Sequence, residues 1–280
     1  MNYSIPDNIT SQAELFKYLK ANKALIISQK KSAIKHADSI GIYLKGFDSE
    51  EVDKGFEVSS DVHQDTIRAK VVINSTKIMD SHDDVHFDGL WKKSLGETKN
   101  IYHLQEHSMK FDKVISDEVK AYTKSLSWKS LGFDYEGNTQ ALVFESTISK
   151  DRNPFMYDQY LKGYVKNHSV GMQYVKIDMA VNSEEKYYVE EKAVWDKYYN
   201  DIVNKDVADE KGYFFAVTEA KAIEGSAVLR GSNIATPTIS ITEAGKSTST
   251  IIEPSNDTQK GGTPKSYLDI AKTILTTLNN

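Results

Sequence analysis

The chain has 280 residues, 39% of them hydrophobic, with 35 Lys and Arg against 40 Asp and Glu for a formal charge of -5. That balance offers no general attraction to nucleic acid phosphates, and the absence of cysteine excludes disulfides, thiolate metal sites and a cysteine nucleophile. A core of ordinary size is expected in one principal domain, and a nucleophile, if there is one, must be an oxygen or a lysine nitrogen.

No run reaches the roughly 18 apolar residues of a membrane span, and "MNYSIPDNITSQAELF" lacks the basic and apolar regions of a secretory signal. Intracellular synthesis and no membrane partner are the expectation. "SQAELFKYLKAN" sets Ser11 and Glu14 at capping-box spacing, with Leu15, Tyr18 and Leu19 on one side of a short helix. Residues 1–60 read as a helical arm or extension, leading out through the acidic "GFDSEEVDKGFEVSSD".

From Thr66 the texture changes. "TIRAKVVINSTKI", "AYTKSLSW", "ALVFESTISK", "SVGMQYVKIDM", "GYFFAVTEAKAI" and "SAVLRGSNIATPTISIT" are short, rich in β-branched and aromatic residues, and divided by Gly, Asn, Asp and Pro. They predict a mainly β domain with flanking helices, an α+β fold, over residues 61–244. Helices are expected in "DGLWKKSLGE", with Asp88 as a cap, and in "NPFMYDQYLKGYVKN", where Asn153 precedes Pro154. "YYVEEKAVWDKYYNDIVNK" predicts a third, inside a helical insertion at about 178–211. Residues 245–264 have the composition of a flexible linker, and 265–280 set Leu268, Ala271, Leu275 and Leu278 at helical spacing.

Three groups of residues could carry chemistry. His82, Asp84 and His86 alternate, so a strand would put them on one face as a divalent-metal set. His103 and His107 are four apart, as zinc ligands on a helix are, but Leu104 stands where the zinc-protease pattern needs Glu. Ser169 follows His168 in "NHSVGMQY", yet in an extended segment neighbours point to opposite faces, so a base for Ser169 must come from elsewhere. A serine hydroxyl needs an imidazole to take its proton and a third group to hold that imidazole; His107 and a later acid meet the need.

Four blocks, in order over residues 80 to about 241, carry a resemblance: "MDSHDDVHFDGLWKKSL", "IYHLQEHSMKFDKVIS", "SLGFDYEGNTQALVFESTISKDRNPFMYDQYLKGYVKNHSVGMQY" and "AKAIEGSAVLRGSNIATPTISI". Together they resemble the tailed-phage prohead maturation proteases, which share the fold of the herpesvirus assemblin. The resemblance implies a closed or partly closed β-barrel ringed by helices, often dimeric. It implies Ser169 as nucleophile, His107 as general base, Glu224 as third member, and Arg230 or amides near Gly171 as oxyanion donors. The activity implied is a serine endopeptidase that needs no cofactor or metal. It would cut scaffold and major capsid protein, and its own chain between about Gly245 and Pro264, inside the immature head in the host cytoplasm and then the virion interior. The alternative is a non-catalytic internal head or scaffold protein that kept the fold. "LRGSN" stands where the Pro-Ala-Asn turn is common in that family.

Overall fold

The computed structural model describes residues 5, 6, 8–34, 65–98, 100–243, 249 and 250. Of the expected linker at 245–264 only residues 249 and 250 are described, as strand; the rest of it, the C-terminal helix at 265–280 and residues 35–60 of the arm fall outside the described residues.

The chain opens with helices α1 (Gln12–Ala21) and α2 (Lys23–Ser32). The capping box forms as the spacing requires: the Glu14 N–H donates to Ser11 Oγ, and the Ser11 N–H to Glu14 Oε2. Phe16, Leu19 and Ile26 are buried in the main core, so both helices are packed onto the domain. Then come β1 (Thr66–Ser75), β2 (Asp84–His86), α3 (Lys92–Glu97), β3 (Tyr102–Gln105), β4 (Val114–Ser116), β5 (Val119–Ser127) and β6 (Asn138–Ser149). They are followed by α4 (Pro154–Leu161), β7 (Asn167–Val181), α5 (Val189–Tyr198), α6 (Lys205–Lys211), β8 (Tyr213–Val228), β9 (Thr238–Glu243) and β10 (Ser249–Thr250).

The fold is α+β and mostly strand. One sheet has the order β10-β9-β1-β6-β5. In the other, β8 is central: β2 and β3 pair with it in parallel, β4 continues from β3, and β7 lies antiparallel along its length. Ile73 and Phe144 of the first sheet pack against Gly225 of the second, and a Cβ on Gly225 would stand 3.0 Å from Ile73 Cδ1. The close approach of the two sheets therefore needs a residue without a side chain there.

No closed barrel is found among the described residues. Strand β7 meets the other sheet at an isolated bridge, Asn167 to Pro237. Proline has no N–H to extend a ladder, and the Pro237 carbonyl is taken by the Val72 N–H at 2.9 Å. The molecule is two packed sheets joined at that corner.

One expected helix cap forms and the other does not. Asn153 caps α4 as predicted, its side chain accepting from the Met156 N–H at 3.0 Å. Asp88 does not cap α3, which starts at Lys92. Its carboxylate instead accepts from Thr76 Oγ1 at 2.6 Å and pairs with Lys77 at 2.7 Å. Long-range partners outcompeted the local cap.

Candidate active site

Strand β8 sets the geometry. Glu224 lies opposite Gly171 and Ser226 opposite Ser169 on β7, while Tyr102 and Leu104 of β3 flank the same two residues from the other side. Directly paired residues share a face, so Glu224, Ser226, Ser169 and Gly171 form one patch. Glu224 and Ser226 are fully buried, and Ser169 is 5% exposed.

His107 enters this patch through an unusual turn. Glu106 and His107 both adopt left-handed backbone, at φ 51° and 56°. Such conformations are uncommon without glycine and persist where the surroundings impose them. Here the Glu106 N–H is held by the Ala227 carbonyl at 3.0 Å, and the His107 N–H by Ser226 Oγ at 3.0 Å. The turn folds the imidazole back over β8, where Nδ1 meets Glu224 Oε1 at 2.5 Å. Ser226 Oγ donates to the second carboxylate oxygen, Oε2, at 2.6 Å. A carboxylate on Nδ1 fixes the proton there and leaves Nε2 as the basic atom, the arrangement a general base needs.

Gly171 makes room for this pair. A β-carbon at that position would stand 2.8 Å from Glu224 Cδ, inside the closest approach real side chains tolerate. Arg230 is exposed on the loop after β8. A Cβ on the next residue, Gly231, would lie 2.7 Å from the His168 carbonyl oxygen, so the loop carrying Arg230 is laid against the residue preceding Ser169. The structure thus gathers His107, Glu224, Ser226 and Gly171 around one carboxylate, sets Ser169 across the ladder from Ser226 and Arg230 at the border, and leaves His107 Nε2 without a hydrogen bond to Ser169 Oγ.

His168 turns to the opposite face, as alternation demands, and is fully buried. Its Nδ1 donates to the Thr236 carbonyl at 3.1 Å, leaving Nε2 to accept from the Tyr160 hydroxyl at 2.9 Å. With its proton committed, that hydroxyl accepts from His103 Nε2 at 3.0 Å, and His103 Nδ1 accepts from Ser146 Oγ at 2.9 Å. Burial pushes His168 down to about 4, against the opposing pull of the Thr236 carbonyl, and holds His103 well below the ordinary imidazole range, with the charge of His168 adding to that. Burial likewise pushes the Tyr160 phenol well above its usual value. All three are neutral at pH 7.

Among the described residues, His82, His86, His103 and His107 are not drawn into a metal centre. His103 and His107 share no helix face, because Tyr102–Gln105 is strand. Asp84 is bound by Lys30 Nζ at 2.5 Å and Tyr174 Oη at 2.8 Å. His86 lies between Tyr174 Oη at 3.0 Å and Asn74 Nδ2 at 2.9 Å. No group of three or more His, Asp or Glu side chains able to hold a metal occurs among the described residues.

A small cleft of about 10 Å³, room for roughly one water molecule, adjoins Ser169; Asn74, Asp80, His82, Tyr174 and Asn233 line it too. Ser169 belongs both to this cleft and to the His107 patch. Sequence reasoning missed Ser226, Tyr160 and Asn74. The first had a signal, since it stands two residues after Glu224 on a strand and so shares its face. The other two depend on pairings across the fold that no local pattern records.

No family model, curated protein or solved structure matches this chain.

Proposed function

We propose that this protein is a serine endopeptidase of the prohead-maturation kind, with the two packed sheets standing for an opened assemblin-like barrel. The observation that carries the reading is the His107 to Glu224 pair, at 2.5 Å, on the strand whose Ser226 lies opposite Ser169. An imidazole whose Nδ1 proton is held by a buried carboxylate is prepared to take a proton at Nε2.

In this reading Ser169 Oγ attacks the scissile carbonyl as His107 Nε2 takes its proton. The C–N bond then breaks as His107 returns that proton to the leaving amine, and water releases the acyl group by the same route. Glu224 stabilises the imidazolium without becoming protonated. Backbone amides near Gly171 and the Arg230 side chain are the candidates to receive the oxyanion. The substrates would be scaffold segments, the major capsid protein and the chain's own tail, cut inside the immature head by a homodimer or larger assembly.

The decisive experiment is labelling with a fluorophosphonate, which reacts with activated serines and spares ordinary ones. Expected is one adduct at Ser169, lost in Ser169→Ala and in His107→Ala, with a shortened wild-type chain by intact mass and a full-length Ser169→Ala chain. A wild-type protein that takes no label and stays full length overturns the reading and leaves a non-catalytic internal head protein.

A further inference from the structure

Ser226 touches both halves of the base: the backbone of His107 and the carboxylate on which its imidazole rests. It stands on β8 between Leu104 of β3 and Ser169 of β7, and is fully buried. A hydroxyl carries one proton and two lone pairs. The Ser226 proton goes to Glu224 Oε2 at 2.6 Å, and a lone pair receives the His107 N–H at 3.0 Å. Glu224 Oε1 in turn meets His107 Nδ1 at 2.5 Å. The three residues close a ring that leaves the histidine by its backbone and returns to it at its side chain.

A ring constrains more than a pair does. A contact between Nδ1 and one carboxylate oxygen leaves the carboxylate able to turn, and the imidazole able to turn with it. Holding the second oxygen stops the carboxylate, and holding the N–H of the same histidine stops the backbone from which the imidazole hangs. That backbone is left-handed at both Glu106 and His107, a conformation that persists only where its surroundings impose it. Two successive residues of β8 impose it here: Ser226 Oγ takes the His107 N–H, and the Ala227 carbonyl takes the Glu106 N–H at 3.0 Å.

The ring also separates the two facing serines by role. A nucleophile needs a proton that the base can remove and an oxygen that the substrate can reach. Ser226 gives its proton to Glu224 and has no exposed surface, whereas Ser169 reaches the surface.

We propose that Ser226 is a positioning residue: it acts through His107, fixing both the turn that delivers the imidazole and the carboxylate that orients it, and does not touch substrate. This rests on the peptidase reading of His107 and goes beyond it by assigning the residue that holds the base in place before substrate arrives. Losing it should therefore tell on turnover and spare binding.

The test uses the full chain with Ser226→Ala, which deletes both bonds, and Ser226→Thr, which keeps the hydroxyl. One readout is the kinetics on a peptide that the wild type cuts. The other is the proton magnetic resonance of the imidazole Nδ1–H, which lies far downfield when a carboxylate holds it. Expected in Ser226→Ala is a kcat lower by about ten- to hundredfold, the worth of one or two hydrogen bonds, with KM changed by less than about twofold. The imidazole proton should move upfield or vanish, and Ser226→Thr should restore both readouts. A serine of merely structural worth would lower the urea midpoint of Ser226→Ala and leave kcat and the resonance of the folded protein as in the wild type; that outcome overturns the assignment, as does a loss confined to KM. Should Ser226→Ala fail to fold, the wild-type spectrum decides: a slowly exchanging Ser226 hydroxyl proton in through-space contact with the His107 amide upholds the ring, and a rapidly exchanging one overturns it. A wild type that neither cuts nor labels at Ser169 overturns the peptidase reading and this inference with it; normal turnover by Ser226→Ala overturns the inference alone.

Discussion

The carboxylate of Glu224 occupies the space that a side chain at Gly171 would fill, directly across the β7 to β8 ladder. The pair that orients His107 depends on an omission in the opposite strand. Gly171→Ala should push the carboxylate off Nδ1, lowering peptide cleavage by about a hundredfold or more, while overpacking costs about 1–3 kcal/mol of stability. Cleavage rate and a urea melt on the same sample check this. A variant with normal activity would show that the carboxylate need not lie there.

Glu224→Gln keeps the shape and removes the charge. The His107 imidazolium would lose its counter-charge, and cleavage should fall by about 10²–10⁴ at pH 7. Labelling at Ser169 should fall in parallel, whereas a purely structural glutamate would lower the melting temperature and leave the label intact.

The neutral His168 makes stability depend on pH. Its folded value of about 4 lies below the unfolded value of 6.5, so between them the unfolded chain binds the extra proton. This contribution is complete above pH 6.5 and is lost as pH falls toward about 4, on the order of 3 kcal/mol for a fully buried ring. Urea unfolding of wild type and His168→Gln across that window should show the steeper pH slope in the wild type. Equal slopes would mean that His168 titrates alike in both states.

Lys30 and Lys129 should behave oppositely. Lys30 is paired with Asp84 in the interior, and Lys30→Met should cost about 3–5 kcal/mol by stranding a buried carboxylate. The exposed Lys129 to Glu136 pair, at 2.6 Å, should be replaceable by alanine without measurable change in melting temperature. Thermal melts of the two variants decide it.

Much of the fold is legible in local pattern. The long strands β1, β5, β6, β7 and β8 follow from β-branched runs, and α1 and α4 follow from caps that the structure forms with the expected atoms. Strands β2, β3 and β4 are three or four residues long, too short for a period to register, and exist because β8 and its neighbours offer partners. The separation of His168 from Ser169 onto opposite faces also follows from strand alternation alone. The meeting of His107 with Glu224 does not: it needs two successive left-handed residues after β3 and the parallel register of β3 on β8. The expected barrel stops at Pro237, whose missing N–H has its effect only once the strands are arranged around it.

Strand β8 is threaded between β3 and β7 yet follows both in the chain, so Glu224 and Ser226 reach the ribosome's exit after His107 and Ser169 have emerged. A nascent chain therefore holds an imidazole and an alcohol with no carboxylate to organise them. Whatever reactivity the assembled patch possesses is withheld during synthesis by the order of translation itself, and begins only when the last long strand slides into its slot.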